Sequence, residues 1–136
     1  MTRQDFIAMA KTWIGTPCLP SGAIKGVGAS CGGLWLGVFR EAGLTRLAGL
    51  FAPLEGFAKP PPARELYKLM IAGFDKVRGV PEPADLLLID FGGRMDHVAL
   101  LIEPGRILHA DRRAGRVLPQ RLVHPVHNAW RIRELA

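Results

Sequence analysis

The spacing of apolar residues changes halfway along the chain, from the period of an α-helix to that of short strands. In the first half, helical spacing covers three segments, residues 2–14, 31–42 and 63–74. In the second half, turn signals separate five short apolar runs: Leu86–Asp90, His97–Ile102, Arg106–Ala110, Arg116–Pro119 and Ala129–Ile132. Helices followed by strands predict an α+β fold, with helices packed on an antiparallel meander of about five strands.

Two segments in the first half lack a helical pattern. Residues 15–33 are rich in glycine, serine and proline, which predicts a long loop of the kind that often carries function. Residues 44–62 are irregular, and their prolines indicate a surface connection. Thr2 is a candidate N-cap for the first helix, and Gly43 is a candidate C-cap for the second. The predicted core includes the large side chains Trp13, Trp35, Phe39, Phe74 and Trp130.

The chain length predicts a single domain, residues 1–136. Apolar residues make up 49% and charged residues 22%, an ordinary globular composition that argues against intrinsic disorder. No apolar run approaches the roughly 20 residues that a membrane-spanning helix needs. Residues 1–13 have no signal-peptide apolar core. We therefore expect synthesis in the cytoplasm, no contact with a membrane, and reduced thiols at Cys18 and Cys31.

Positive charge dominates the chain, with 18 Lys and Arg residues against 12 Asp and Glu, a net charge of +6. This favours an anionic partner such as nucleic acid, a membrane surface or a cell-wall polymer. Seven of the arginines follow Pro104. That region has no aromatic stacking platform and no helix-turn-helix signal, so nucleic acid is the weaker alternative and a solvated charged face is the simpler one.

Cys31 opens the second predicted helix directly after the glycine-containing loop. A helix start stabilises an anion through its unpaired N–H groups and its dipole, so a cysteine there has a lowered pKa and a more nucleophilic sulfur. Gly32 and Gly33 follow, and small residues there would let a substrate carbonyl approach the backbone N–H groups. The alternative is a small buried cysteine with a packing role.

Two histidines are placed to meet. His97 begins one predicted strand and His109 lies near the end of the next, and a short Glu103-Pro104-Gly105 turn joins them. In an antiparallel hairpin the start of one strand lies beside the end of the other. One imidazole can then take the thiol proton while the other fixes the tautomer of the first. The simpler alternative is two polar residues at strand ends.

Six short motifs occur in order along the chain: Gly15-Thr16-Pro17, Lys25-Gly26-Val27-Gly28, Cys31-Gly32-Gly33-Leu34, Pro83-Ala84-Asp85-Leu86-Leu87, Asp96-His97-Val98 and Leu108-His109-Ala110. Together they resemble the NlpC-type cell-wall cysteine peptidases, in particular the branch encoded by tailed phages and gene transfer agents. The resemblance covers roughly residues 3–133. It implies a reduced papain-like fold, with Cys31 as nucleophile, His97 as base and His109 as the orienting residue.

The resemblance also implies a substrate and a setting. Members hydrolyse amide bonds in peptidoglycan stem peptides, typically next to D-γ-glutamyl residues, without a metal or other cofactor. A phage-like particle would carry the protein to a cell wall, with tail-tip proteins as partners. Two positions depart from the family pattern: Ser30 replaces an aspartate that helps bind a substrate amino group, and Cys18 replaces a tyrosine near the oxyanion site. Ser30, Gly32 and Cys18 are the candidate substrate-binding residues.

Two alternatives remain. The four histidines and two cysteines could hold zinc, and His124-x-x-His127 has a possible spacing, but structural zinc sites prefer closely spaced cysteine pairs. Solvated surface histidines in a loop are the simpler interpretation of His124 and His127. The departures at Ser30 and Cys18 motivate the second alternative, a weakly active or inactive structural subunit of a phage-like tail tip. Asp85 is expected to make a structural hydrogen bond, and Asp96 to point away from His97.

Overall fold

A computed structural model of the chain describes residues 1–56, 62–93 and 97–136. Four α-helices precede the main sheet: α1 Arg3–Lys11, α2 Cys31–Glu41, α3 Thr45–Phe51 and α4 Ala63–Gly73. A 3₁₀ turn, Ala52–Gly56, follows α3. The strands are β1 Ala23–Ile24, β2 Gly28–Ala29, β3 Asp75–Lys76, β4 Leu86–Ile89, β5 His97–Glu103, β6 Arg106–Asp111, β7 Arg116–Arg121 and β8 Val126–Arg131.

The predicted helix ends of α1 and α2 are confirmed. Thr2 caps α1, because its hydroxyl accepts a hydrogen bond from the Asp5 N–H while the Asp5 carboxylate accepts one from the Thr2 N–H. α2 ends at Glu41, and Gly43 follows its cap with a φ of +72°, a left-handed conformation that glycine adopts without strain. Among the described residues, none of the helices is long and apolar enough to cross a bilayer.

The main sheet has six antiparallel strands in the order β3-β8-β4-β5-β6-β7. Strands β4 to β7 form the predicted meander. The meander prediction was wrong for the last strand, because β8 returns across the sheet to pair with β4. The two-residue strand β3, which pairs with the far edge of β8, was missed because two residues are too short to show a period.

Two segments predicted as irregular contain regular structure. Residues 15–33 include a small antiparallel pair, β1 with β2. Residues 44–56 hold α3 and the 3₁₀ turn, which the sequence did not indicate because Leu44, at the N-cap, makes no side-chain cap. Burial of Leu47 and Phe51 stabilises α3 instead. Residues 57–61 of that predicted connection, which include Pro60 and Pro61, lie outside the described residues.

The helices pack on one face of the sheet around a large core, and all five side chains predicted there are buried: Trp13, Trp35, Phe39, Phe74 and Trp130. Phe39 lies at the centre of an aromatic group with Phe51 and Phe74. A smaller apolar cluster occupies the opposite face of the sheet. The core therefore fixes α2 against the strands, and the start of α2 carries Cys31.

Asp85 has the structural role that the sequence predicted. Its carboxylate is fully buried and accepts hydrogen bonds from Arg3, Arg131 and the Glu82 N–H, at 2.8–3.0 Å. Burial alone raises the pKa of Asp85, but these hydrogen bonds outweigh it and lower the pKa overall. The hydrogen bond between Arg3 and Asp85 connects α1 to the start of β4.

Candidate active site

Cys31 is the first residue of α2 and is 6% exposed. Ser30 is the N-cap, and its hydroxyl oxygen accepts a hydrogen bond from the Gly33 N–H at 2.9 Å. Ser30, a candidate substrate-binding residue, is therefore engaged in holding the helix start. Both cysteines are thiols, and Cys31 has further interactions within the chain.

The structure gives the glycines after Cys31 a packing reason that the sequence did not. A Cβ on Gly33 would lie 1.8 Å from the carbonyl oxygen of Gly22, and a Cβ on Gly32 would lie 2.8 Å from the Leu54 side chain. From the sequence alone, Gly33 was expected to leave room for a substrate. In the structure, the Gly22 backbone fills that space, so close packing within the chain is what requires glycine at position 33. The role of Gly32 in substrate binding stays a prediction.

The two histidines of the β5–β6 hairpin are neighbours, as the sequence predicted. His97 Nε2 and His109 Nδ1 lie 2.6 Å apart, and both residues are fully buried. The Phe91 ring stacks on His97, with 4.6 Å between ring centroids, and packs edge-on against His109. His97 Nδ1 is buried and has no hydrogen-bond partner among the described residues. Their catalytic roles stay predictions.

Two ties hold the start of α2 near the His97 end of the sheet. Trp35, one turn after Cys31, donates its indole N–H to the Val98 carbonyl at 3.1 Å, next to His97. Cys18 forms the second tie, since it bridges to Ala29 beside the helix start and donates its N–H to the Gly115 carbonyl in the β6–β7 turn. The cysteine helix and the histidine hairpin therefore meet at one end of the sheet.

Cys18 is half-buried and lies within electrostatic reach of the β6–β7 turn. Burial raises the pKa of the Cys18 thiol, while the Arg112 charge lowers it and the Asp111 charge raises it further. This places Cys18 beside the residues that follow His109. The predicted role of Cys18 in substrate binding stays a prediction.

Two side chains that extend the row of polar contacts beyond His109, Asp111 and Gln120, were not predicted from the sequence. Gln120 Nε2 contacts His109 Nε2 and also donates to Asp111 Oδ2 at 3.0 Å. Asp111 lies two residues after His109 on the same strand face, and Gln120 lies on β7 two positions from Leu118, which pairs with His109. The period of two along β6 was the available signal for Asp111, whereas Gln120 required the register of β7.

His124 lies in a loop between β7 and β8, as predicted, but it is half-buried rather than solvated. Its ring packs at 5.1 Å from Phe91 and 6.1 Å from His109, and its Nδ1 is buried with no hydrogen-bond partner in the described part of the chain. His127 is exposed as predicted, although it lies in β8 rather than in a loop. Asp96, which was expected to point away from His97, lies outside the described residues.

The environment of the histidine pair keeps both rings neutral. Burial lowers the pKa of His97 well below its usual value, and the His109, Arg112 and His124 charges lower it further. Burial also lowers the pKa of His109, to about 4, although Asp111 opposes the shift. Within residues 1–56, 62–93 and 97–136, no three His, Cys, Asp or Glu side chains form a group that could hold a metal ion.

Acid is expected to destabilise the fold through His109. In the unfolded chain His109 binds a proton near pH 6.5, whereas in the folded chain it stays neutral down to about pH 4. Between these values the unfolded state binds more protons at His109, so this residue should lower the free energy of unfolding by about 1.4 kcal/mol per pH unit as the pH is lowered, and His97, whose pKa is also lowered, should add to the slope. Urea unfolding at several pH values would measure this slope. His109→Gln should make it shallower, the exposed His127→Gln should not, and equal slopes in all three proteins would contradict the assignment.

No protein-family model and no curated protein matches this sequence. Solved structures do match the fold. NlpC2 from Trichomonas vaginalis has a TM-score of 0.68 at 14% identity, over 95% of this chain and 46% of NlpC2. The P60 domain of an antigen from M. avium subspecies paratuberculosis has a TM-score of 0.62 at 19% identity, over 96% of this chain and 93% of the domain.

The peptidoglycan hydrolase RipB from Mycobacterium tuberculosis has a TM-score of 0.59 at 21% identity, over 96% of this chain and 64% of RipB. This chain therefore spans less than two thirds of the length of NlpC2 and of RipB. The expected fold class, α+β with helices on an antiparallel sheet, is confirmed. At these identities the likeness is one of architecture: the chain has the papain-like fold of the NlpC/P60 proteins.

Proposed function

We propose that this chain is a cysteine peptidase of the NlpC/P60 family that hydrolyses amide bonds in peptidoglycan stem peptides. The observation that carries the proposal is the buried His97–His109 pair. His97 Nε2 is hydrogen-bonded to His109, whereas His97 Nδ1 has no hydrogen-bond partner among the described residues. The pair lies at the end of the sheet where α2, the helix that carries Cys31, begins. A nucleophile, a base and an orienting group are the parts that such hydrolysis requires.

In the proposed reaction, the Cys31 thiolate attacks the carbonyl carbon of the substrate amide, and the proton of the thiol passes to His97 Nδ1. Backbone N–H groups at the start of α2 stabilise the oxyanion. His97 then gives the proton to the leaving amine, which leaves a thioester on Cys31. Water, deprotonated by His97, hydrolyses the thioester and regenerates the thiol and the free carboxyl group of the product.

The surroundings of the site support an anionic peptide as the substrate. Arg112 and Arg113 are exposed, and each guanidinium lies 5.2 Å from the centroid of the Phe91 ring, which covers His97. The net charge of +6 acts in the same direction. Peptidoglycan stem peptides carry carboxylates, and the name of RipB as a peptidoglycan hydrolase supports the same substrate class. Cys18, Ser30 and Gly32 are the proposed contacts on the cysteine side.

We further propose that the protein acts in a phage-like particle or gene transfer agent, as a tail-associated hydrolase delivered to a cell wall. The sequence motifs that resemble that branch are the support for this setting. Co-purification of the chain with particles, detected by mass spectrometry of a density-gradient fraction, would test it. Recovery only in fractions without particles would contradict it.

Alkylation of Cys31 tests the chemistry directly. In a Cys18→Ser background, iodoacetamide is expected to modify Cys31 at pH 6.5 about tenfold faster than it modifies the same protein unfolded in urea, because the helix start stabilises the thiolate and His97 takes up the thiol proton in those molecules whose Nδ1 is unprotonated. His97→Gln should lower this rate. Alkylation should also stop digestion of purified muropeptides, as followed by chromatography. An inert thiol together with undigested muropeptides would favour the structural subunit instead.

A further inference from the structure

The Asp111 carboxylate fixes the orientation of the Gln120 amide. Asp111 Oδ1 accepts hydrogen bonds from the N–H groups of Arg113, at 2.8 Å, and Ala114, at 3.1 Å, so the β6–β7 turn holds the carboxylate in place. Its other oxygen, Oδ2, lies 3.0 Å from Gln120 Nε2. Burial raises the pKa of Asp111, but its hydrogen bonds lower it overall, so the group is ionised at neutral pH and can only accept. The NH₂ group of Gln120 must therefore face Asp111.

The same NH₂ group determines the proton position on His109. Gln120 Nε2 also contacts His109 Nε2, and an amide NH₂ can only donate, so His109 Nε2 accepts and carries no hydrogen. A neutral His109 then carries its proton on Nδ1 and donates it to His97 Nε2. Because His97 Nε2 is an acceptor, a neutral His97 must carry its own proton on Nδ1.

We propose that Gln120, oriented by Asp111, is a positioning residue that sets the tautomers of both imidazoles and holds His97 in the form that cannot accept a proton at Nδ1. If Gln120 turned its amide by 180°, Oε1 would accept from His109 Nε2–H, and His109 Nδ1 would accept from His97 Nε2–H. His97 Nδ1 would then be unprotonated and basic. Each ring keeps one proton throughout, so the change is an exchange of tautomers and not a net ionisation.

The consequence for catalysis rests on the proposed function. Removal of the Cys31 proton by His97 Nδ1 requires the second arrangement, whereas the geometry of Asp111 and Gln120 favours the first. Gln120 therefore controls the fraction of molecules in which His97 is ready to act as a base. Asp111 contributes to this control only through the amide, because its Oδ2 lies 4.0 Å from His109 Nε2, beyond hydrogen-bond distance.

Tautomers can be read directly from ¹⁵N-labelled histidine by long-range ¹H–¹⁵N correlation at neutral pH. In the unmodified protein, His97 and His109 are both expected to carry the proton on Nδ1. Asp111→Asn is a nearly isosteric change: the asparagine Oδ1 can keep the turn contacts while its NH₂ group takes the place of Oδ2 and requires Gln120 to present its oxygen. This variant should move the proton to Nε2 on both rings.

Further variants keep the test decisive. Gln120→Glu places an acceptor beside His109 and should also move the proton to Nε2, which provides a second reading if Asp111→Asn does not fold. Gln120→Leu removes the amide and should leave each ring in a mixture of tautomers. An Nε2 proton on His109 in the unmodified protein, or unchanged tautomers in the variants that fold, would overturn the proposal.

The tautomer measurement tests the role of Gln120, and the catalytic assay tests the proposed function, so either claim can be contradicted without the other. If Cys31 proves unnecessary for muropeptide digestion, the proposed function is wrong, but the tautomer spectra can still show control by Gln120. If Cys31 is required and the tautomers do not depend on Gln120, only the inference about positioning is wrong. Iodoacetamide modification of Cys31 links the two, since it should be faster in Asp111→Asn than in the unmodified protein.

Discussion

Replacement of Cys31 by alanine is expected to reduce muropeptide hydrolysis by about 10³-fold or more, because loss of the nucleophile removes the covalent route and leaves only binding and the oxyanion donors. Cys31 is small and nearly buried, so alanine fits the same space with a modest loss of stability. Hydrolysis would be followed by chromatography of muropeptides under conditions in which the unmodified protein digests most of the substrate.

A matched control separates chemistry from folding. Ile71 lies on α4 and is 53% exposed, so Ile71→Ala should retain both fold and hydrolysis. Thermal unfolding of each variant would check that Cys31→Ala is folded at the assay temperature. Hydrolysis that is equal in Cys31→Ala and in the unmodified protein would reject Cys31 as the nucleophile and with it the proposed mechanism.

Replacement of Gly33 by alanine is expected to destabilise the protein by about 3 kcal/mol or more, the upper end of the range for an overpacked core. The added Cβ would lie 1.8 Å from the Gly22 carbonyl oxygen and 2.8 Å from the Ser30 hydroxyl oxygen. Gly22 belongs to the backbone that leads into β1, so relief of the clash requires the loop or the start of α2 to move. The same movement would displace Cys31, so hydrolysis should fall with stability.

Gly49 is the natural control for this substitution. It lies in α3, is exposed, and has open space around the position of a Cβ. Gly49→Ala should stabilise the protein by about 0.5–1 kcal/mol, because alanine favours the helix and restricts the unfolded chain. Urea unfolding would measure both variants. A Gly33→Ala protein as stable as Gly49→Ala would mean that the close approach of Gly22 is not a constraint.

The local signals in the sequence were reliable where one residue type has one physical use. Thr2 was identified as a cap because its hydroxyl satisfies an N–H group at a helix start, and the hairpin of His97 and His109 was identified because a short turn fixes which strand ends meet. Helix α3 was missed for the converse reason. It has no side-chain cap, and only burial of Leu47 and Phe51 against neighbouring elements makes it stable.

The residues that surround the histidine pair could not be predicted from local sequence patterns either. Phe91, His124 and Gln120 come from three different parts of the chain and converge on two rings. His124 was predicted to be solvated because its neighbours in sequence, Val123 and Pro125, indicate a loop. Its contact with Phe91 depends on the return of β8 across the sheet, and no feature of residues 120–128 alone indicates that crossing.

Periodicity, a helix cap and a short turn were sufficient to predict the α+β class, the helix start that carries Cys31, and the meeting of His97 with His109. The close approach of the Gly22 backbone to Gly33, and the contacts of Gln120 with Asp111 and His109, became apparent from the folded chain alone. These contacts join segments far apart in the chain, and their strength depends on sub-ångström packing and on which amide atom faces a carboxylate. Neither quantity is encoded in the pattern of any single segment.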